Sequence, residues 1–220
     1  MTTQVYRHRI RLITDQMIER AISVGIDHDK IGWLKALYSY DGSYEFIKEY
    51  LQWDDDRLTT EILHHQKGLK VHDLFVRLKE RRLFKCIFDV DQNDFPDPST
   101  RNFVFAGSKD FYKPLEVEIA RQFSFDPDHV IAYGVTFNSA TKTESQIPVL
   151  HPTKTTLFDE ESALFKSADQ KIREQHFHVY APVEYQGDEK QKKKKFREYK
   201  EAILSIIKNL ASPQQRLQLE

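Results

Sequence analysis

The sequence has few of the residues that disulfide-rich proteins, zinc-binding proteins and phosphate-binding loops require. Its 220 residues include one cysteine, Cys86, which excludes a disulfide scaffold and a multi-cysteine zinc site. Seven scattered glycines exclude a Gly-rich phosphate loop, and no G-x-S-x-G elbow occurs. No apolar run approaches the ~20 residues of a membrane span, and the N-terminus has no apolar core of a secretory signal. These absences predict a globular, cytoplasmic chain without a membrane partner.

Charge is nearly balanced overall but unevenly distributed. Thirty-three basic and 34 acidic residues leave a net charge of −1, which excludes a globally basic nucleic-acid coat and an acidic tail. Between Tyr40 and Glu61, seven acids and two bases give −5, which is typical of a solvated face. Between Lys190 and Glu201, seven bases and two acids give +5. We interpret this basic stretch as the solvent side of an amphipathic helix, and a strip for phosphate-bearing partners is the alternative.

The apolar periodicity predicts an α+β fold, with a helical N-terminal half followed by a small α+β lobe and a C-terminal helix. Predicted helices cover residues 3–24, 30–38, 43–50, 55–65, 69–80, 115–123, 159–167 and 189–210, and predicted strands cover 130–137, 147–150 and 176–183. We expect Gly25 to stop the first helix, and Ser43 and Asp54 to act as N-caps. The predicted domains are a helical region at 1–90, a linker rich in Asp, Asn and Pro at 91–99, and the lobe at 100–220.

Nine histidines raise the question of a metal site. An HD phosphohydrolase site needs a His, a His-Asp pair and a further Asp that converge on metal ions. We expect neither His28-Asp29, in a turn, nor His72-Asp73, among helix formers, to be a ligand set. His176 and His178 share one face of a predicted strand, and we interpret them as partly buried polar side chains. A metal-dependent phosphohydrolase with ligands from His64 and His72-Asp73 stays an open alternative.

Two motifs resemble those of the HD-domain deoxynucleoside triphosphate triphosphohydrolases, a family that includes the vertebrate SAM and HD domain-containing enzyme and bacterial relatives. Val5-Tyr6-Arg7-His8-Arg9 resembles the aromatic-x-His-Lys/Arg segment that follows the family's catalytic core. Arg81-Arg82-Leu83-Phe84-Lys85 is similar to the family's Arg-x-Leu-Phe-Lys. The order of strands up to His176-Phe177-His178-Val179-Tyr180 resembles its C-terminal α+β lobe. The resemblance covers most of the chain.

The resemblance implies roles for five residues and the absence of a catalytic centre. The family's metal quartet lies upstream of the Tyr-x-His segment, which begins here at residue 5, so we expect no catalytic residue, metal ligand or cofactor in this chain. A divalent metal would belong to an upstream HD core. By position, Tyr6 resembles the tyrosine that packs on the substrate sugar, and His8 and Arg9 resemble the pair that contacts a regulatory nucleotide. Arg81 and Lys85 resemble the cations that reach its phosphates, and the alternative for both is a solvated helix end.

The expected function is that of a C-terminal accessory or regulatory region of an HD-type dNTP triphosphohydrolase-like protein. Its expected ligands are dNTP or GTP, and its expected partners are further copies in a homo-oligomer or a separate HD domain. The alternative is a nucleic-acid- or protein-binding module that uses the basic helix from Lys190. In that alternative, Lys192, Lys193, Lys194 and Lys195 would neutralise phosphates, and affinity would fall steeply with salt.

Overall fold

A computed structural model describes residues 9–105, 109–137, 148–152, 154–157, 174–185 and 187–211. The helices are α1 (Arg9–Asp27), α2 (Gly32–Leu37), α3 (Tyr44–Tyr50), α4 (Asp55–His65), α5 (Lys70–Lys79), α6 (Pro98–Phe105), α7 (Lys109–Phe123) and α8 (Glu189–Leu210). The strands are β1 (Lys85–Asp91), β2 (Ile131–Phe137), β3 (Pro148–Leu150), β4 (Thr155–Leu157) and β5 (Glu174–Ala181). Three strands form a sheet in the order β1-β5-β2, and β3 pairs antiparallel with β4, with Val149 opposite Thr156. The predicted α+β class is confirmed.

Side-chain caps begin two of the predicted helices, α3 and α4. The Ser43 hydroxyl accepts a hydrogen bond from the Phe46 N–H at 3.0 Å at the start of α3. The Asp54 carboxylate accepts one from the Arg57 N–H at 2.7 Å at the start of α4. Both side chains satisfy backbone donors that have no partner within the helix. The two predicted N-caps are therefore confirmed, and α4 and α8 have the predicted bounds.

The prediction that Gly25 stops the first helix is wrong, because Gly25 lies inside α1, which continues to Asp27. A Cβ atom at this position would lie 2.6 Å from Leu34 Cδ2 and 3.2 Å from Val71 Cγ2, and both of these side chains are fully buried. Glycine therefore allows α1 to pack closely against α2 and α5.

Three elements were not predicted, namely β1, α6 and β4. Residues 91–99 hold the end of β1, a 3-10 turn at Gln92–Asp94 and the start of α6. The Asp97 carboxylate accepts hydrogen bonds from the Thr100 N–H at 2.8 Å and from the Ser99 hydroxyl at 2.9 Å, and Pro98 takes the first helical position. The hydrogen bonds to Thr100 and then Ser99 lower the pKa of Asp97 well below its ordinary value. The predicted helix at 159–167 lies outside the described residues, and the domain boundaries stay a prediction.

The first compact unit runs to Ile87 and adds Glu116–Ile131 and Tyr180–Lys195. Its core is a cluster of buried side chains from α1, α2, α4, α5 and the strands. The members are Ile13, Met17, Ala21, Val24, Ile31, Leu34, Ile62, Val71, Leu74, Phe75, Phe84, Ile131 and Tyr180. A charged contact joins this unit internally, because the Arg20 guanidinium lies 2.5 Å from Glu116 Oε1 and donates to the Val130 carbonyl at 3.0 Å. Arg20 is therefore mostly buried against a buried carboxylate.

The second compact unit draws its described residues from between Phe88 and Leu115, between Ala132 and Val179, and from Phe196 onward. Aromatic rings fill it, with Phe88 and Phe111 both packed against Phe177 at centroid distances of 6.1 and 6.3 Å. The His178 ring is buried, and its Nδ1 lies 3.3 Å from Asp89 Oδ1. The ring also lies parallel to that of His176, which is on the same face of β5. The interpretation of His178 as a buried polar side chain agrees with this environment. Among the described helices, none combines the length and the apolar character that a membrane crossing requires.

Candidate functional site

Arg81 lies in the connection between α5 and β1, and Lys85 is the first residue of β1. Arg81 has a left-handed backbone, with φ of 56°, at the first position beyond the C-cap Glu80. Its N–H donates to the Leu78 carbonyl at 3.1 Å, and the next N–H donates from Arg82 to the Arg77 carbonyl at 2.8 Å. This pair of bonds is the Schellman ending of a helix, in which glycine usually takes the left-handed position. An arginine therefore stands where the backbone favours glycine.

The same connection is anchored in the core between the two cations. Phe84 is buried, its N–H donates to Met17 Sδ at 3.5 Å, and its ring centroid is 5.6 Å from that of His129. The Arg81 and Lys85 side chains are exposed on either side of this anchor. Both cations are thus presented from a backbone that is already ordered, which lowers the entropic cost of binding a ligand.

Neither Arg81 nor Lys85 has a carboxylate within 4.0 Å among the residues that the structure describes. Neighbouring cations differ in this respect, because Arg82 Nε lies 2.7 Å from Glu80 Oε2. Lys70 Nζ lies 2.6 Å from Asp128 Oδ2 and also contacts a second carboxylate, and these hydrogen bonds raise the pKa of Lys70. Unpaired cations remain available for an anionic ligand, and a guanidinium can bind phosphate in a bidentate manner.

The other three predicted contact residues are less completely placed. Tyr6 and His8 lie outside the described residues, and Arg9 opens α1 with its side chain outside the described set. The structure therefore presents the side chains of Arg81 and Lys85 alone among the five. The roles predicted for all five stay predictions.

The His28-Asp29 pair has a structural role. The Asp29 side chain is almost fully buried, and its Oδ2 accepts a hydrogen bond from the Val71 N–H at 2.9 Å, while Oδ1 lies 2.8 Å from His28 Nδ1. α5 needs this bond because its own N-cap, Leu69, has no side chain able to accept one. Asp29 therefore caps α5 from the α1–α2 connection.

The Asp73 carboxylate of the second His-Asp pair also has partners within the protein. Asp73 Oδ2 lies 2.9 Å from Arg77 Nε on the same helix and 3.4 Å from His129 Nε2. His64, His72 and Asp73 do not form a group with ligand atoms within 4.8 Å of one another in the described part of the chain. The ligand set of the metal-dependent alternative is therefore not assembled by these three residues.

His129 links this region to the core. Burial against Phe84 lowers the pKa of His129, and the positive charges of Arg77 and Lys70 act in the same direction. Asp126 and Asp73 oppose that shift. At neutral pH the His129 ring is therefore neutral and packs as an aromatic side chain beside the predicted phosphate-contact segment.

Comparisons with known proteins give a family and a fold. The family described as HD associated region matches residues 1–206. No match was found among curated proteins. A solved structure of a phosphohydrolase from Bacteroides thetaiotaomicron is similar, with a TM-score of 0.54 and 14% sequence identity, over 81% of this chain and 46% of that one. At this identity the likeness shows the fold alone, and this chain spans less than half of that protein.

Proposed function

Because this chain belongs to the family of HD-associated regions, we propose that it serves an HD-type dNTP triphosphohydrolase-like protein as an accessory region that contacts nucleotide phosphates and other subunits. The HD part would supply the metal-dependent chemistry, and this chain would supply no metal ligand. The similar solved structure is a phosphohydrolase more than twice as long as the matched segment. This supports an arrangement in which the HD-associated region is one part of a larger protein.

The observation that carries the phosphate role is the pair of exposed cations, Arg81 and Lys85, on either side of the buried Phe84. Arg81 also has a left-handed backbone with φ of 56°, which costs free energy for a residue other than glycine. Lys30 and Ser124 share this conformation, so it does not by itself mark a functional position. Arg81 and Lys85 flank a buried anchor, are exposed and lack described carboxylate partners. In this proposal, Arg81 and Lys85 hold the phosphates of a regulatory nucleotide, His8 and Arg9 contact the same ligand, and Tyr6 packs on the sugar of the substrate.

The test is calorimetric titration of GTP and dNTPs into the full chain, alone and with an HD domain added. Each charge-assisted hydrogen bond contributes about 1.5–3 kcal/mol, so we expect Arg81→Ala with Lys85→Ala to weaken binding at least ~10-fold. The matched control is Lys35→Ala with Lys67→Ala, which removes two exposed cations from the same compact unit. Equal affinities in wild type and the Arg81/Lys85 variant would remove the phosphate role. Manganese-dependent dNTP hydrolysis by this chain alone would contradict the assignment of the chemistry to the HD part.

A further inference from the structure

His129 packs against the buried phenylalanine that separates the two exposed cations. Its ring centroid lies 5.6 Å from that of Phe84, and its side chain is only 14% exposed. Phe84 follows Arg81 by three positions and precedes Lys85 by one, and it is 2% exposed. A buried aromatic side chain keeps its position through the groups that pack on its ring. His129 therefore contacts the residue that anchors the backbone between both cations.

A second contact of this backbone is weaker. The Phe84 N–H donates to Met17 Sδ at 3.5 Å, and a thioether sulfur is a weak acceptor. The main-chain hydrogen bonds that end α5 hold the chain as far as the N–H of Arg82. Packing of the Phe84 ring is therefore a main support of the backbone that carries Arg81 and Lys85.

Ionisable groups surround His129 within the first compact unit. Its Nε2 lies 3.4 Å from Asp73 Oδ2 on α5. The carbonyl of the next residue, Val130, accepts a hydrogen bond from Arg20, which also contacts Glu116. Among the residues that the structure describes, the charged groups around His129 are Lys70, Asp73 and Arg77 on α5, Asp126 and Asp128 at the turn that ends at His129, Arg20 on α1 and Glu116 on α7.

Each carboxylate in this set already has a basic partner. Asp73 Oδ2 lies 2.9 Å from Arg77 Nε. The two carboxylates of the turn share the ammonium group of Lys70, at 3.2 and 2.6 Å, and the carboxylate of α7 contacts the arginine of α1. A proton on His129 would therefore add a positive charge beside carboxylates that are already paired.

Burial makes this added charge costly. Burial lowers the pKa of His129, and the cations of α5 act in the same direction. The carboxylates of Asp126 and Asp73 oppose this shift but do not reverse it. A buried cation is stabilised by moving into water, and that movement takes the His129 ring away from Phe84. Protonation therefore favours a local opening in which the Phe84 ring has lost its aromatic neighbour.

We propose that His129 is the positioning residue of the phosphate site formed by Arg81 and Lys85. Its neutral ring holds the Phe84 side chain in place, and its protonated ring leaves that position, so that the two cations become mobile. The nucleotide would then have to order both side chains on binding, and ordering each one costs a factor of about 2–10 in affinity. The region would therefore release its nucleotide as the pH falls. This inference rests on the proposed function and adds the regulation of that same site.

The experiment is calorimetric titration of GTP into the full chain at about pH 7.5 and about pH 5.5, on either side of the ordinary histidine pKa of about 6.5. His129→Phe keeps a ring against Phe84 and cannot be protonated. Between the two pH values, wild type should lose about 10-fold more affinity than His129→Phe. His129→Gln has no ring to pack, so it should bind more weakly than wild type at the higher pH and should show the small acid loss of His129→Phe.

The matched control is His64→Gln, which removes an exposed histidine of α4 in the same compact unit and should show the acid loss of wild type. Protonation of GTP itself affects all four proteins alike, so the differences between them report on His129. Hydrogen exchange supplies a readout without nucleotide. The protection factor of the Phe84 N–H should fall with pH in wild type and stay constant in His129→Phe.

The outcomes separate the inference from the proposed function. Wild type that does not bind GTP at the higher pH overturns the phosphate role and the inference together. Equal acid losses in wild type and His129→Phe, or constant protection of the Phe84 N–H in wild type, overturn the inference alone. Wild type that binds more tightly in acid than His129→Phe does would show that the charged ring attracts phosphate directly, which also overturns the inference.

Discussion

Replacing Arg81 by glycine is expected to stabilise the fold and to weaken nucleotide binding at the same time. The backbone at Arg81 is left-handed, and both hydrogen bonds that end α5 are made by main-chain groups that glycine retains. The substitution therefore removes the Cβ strain and the guanidinium together and leaves the turn intact. Substitutions in a functional site that raise stability while lowering binding show that strain is kept for the sake of the ligand.

The size of the effect follows from two opposing terms. Left-handed backbone costs an L-residue other than glycine about 1–2 kcal/mol, and the greater freedom of glycine in the unfolded chain returns about 0.4–1 kcal/mol of that. The net gain is about 0.5–1 kcal/mol, which corresponds to a rise in Tm of about 1–4 °C for a chain of this length. Loss of one charge-assisted interaction with phosphate should weaken nucleotide binding about 10-fold to 100-fold.

Lys30→Gly is the matched control. Lys30 also has a φ of 56°, is exposed and is a cation, but it follows α1 and has no predicted contact with the nucleotide. Differential scanning calorimetry should show a similar rise in Tm for both glycine variants, and titration with GTP or dNTP should show weaker binding for Arg81→Gly alone. A fall in Tm for Arg81→Gly would refute the strain argument. A rise in Tm with unchanged affinity would refute the phosphate role of Arg81.

Two further predictions concern packing and pH. Gly25→Ala should lower the free energy of unfolding by about 1–3 kcal/mol in urea titrations, since its Cβ would meet the buried Leu34 and Val71 side chains; an unchanged midpoint would mean that the helices separate without cost. His129 has a pKa below the ordinary value of 6.5 in the folded state, so protonation favours unfolding. Its contribution to stability is present above pH 6.5 and lost as the pH falls through the folded pKa, and thermal melts of His129→Gln should show a weaker loss below pH 6.5 than wild type.

The sequence predicts helix bounds correctly where the capping residue and the apolar spacing indicate the same helix. The bounds of α4 follow from Asp54, which has the side chain of an N-cap, and from the helical spacing of the apolar Leu58 and Ile62. The same agreement failed at α6, because Asp97 and Pro98 suit a turn and a helix start equally well. β1 was missed because Ile87 and Phe88 are both buried, so the strand lacks strict alternation.

The arrangement around the candidate site depends on contacts that spacing along the chain does not reveal. Asp29 caps α5 through a bond to Val71, which lies 42 positions away. The left-handed backbone at Arg81 could not be predicted either, because sequence signals reserve that position for glycine or asparagine. The exposed cations themselves were visible in the Arg-x-Leu-Phe-Lys motif, whereas their anchor on Met17 depends on the packing of α1.

The bonds that Arg20 makes have a consequence for biosynthesis. Arg20 belongs to the first described helix, but its partners, the Glu116 carboxylate and the Val130 carbonyl, are 96 and 110 positions later in the chain. While the chain is being synthesised, the guanidinium stays hydrated until those residues leave the ribosome, and burying it earlier would leave a charge without compensation. Contacts over such separations also close slowly. We therefore expect α1 to be synthesised well before it is fully packed.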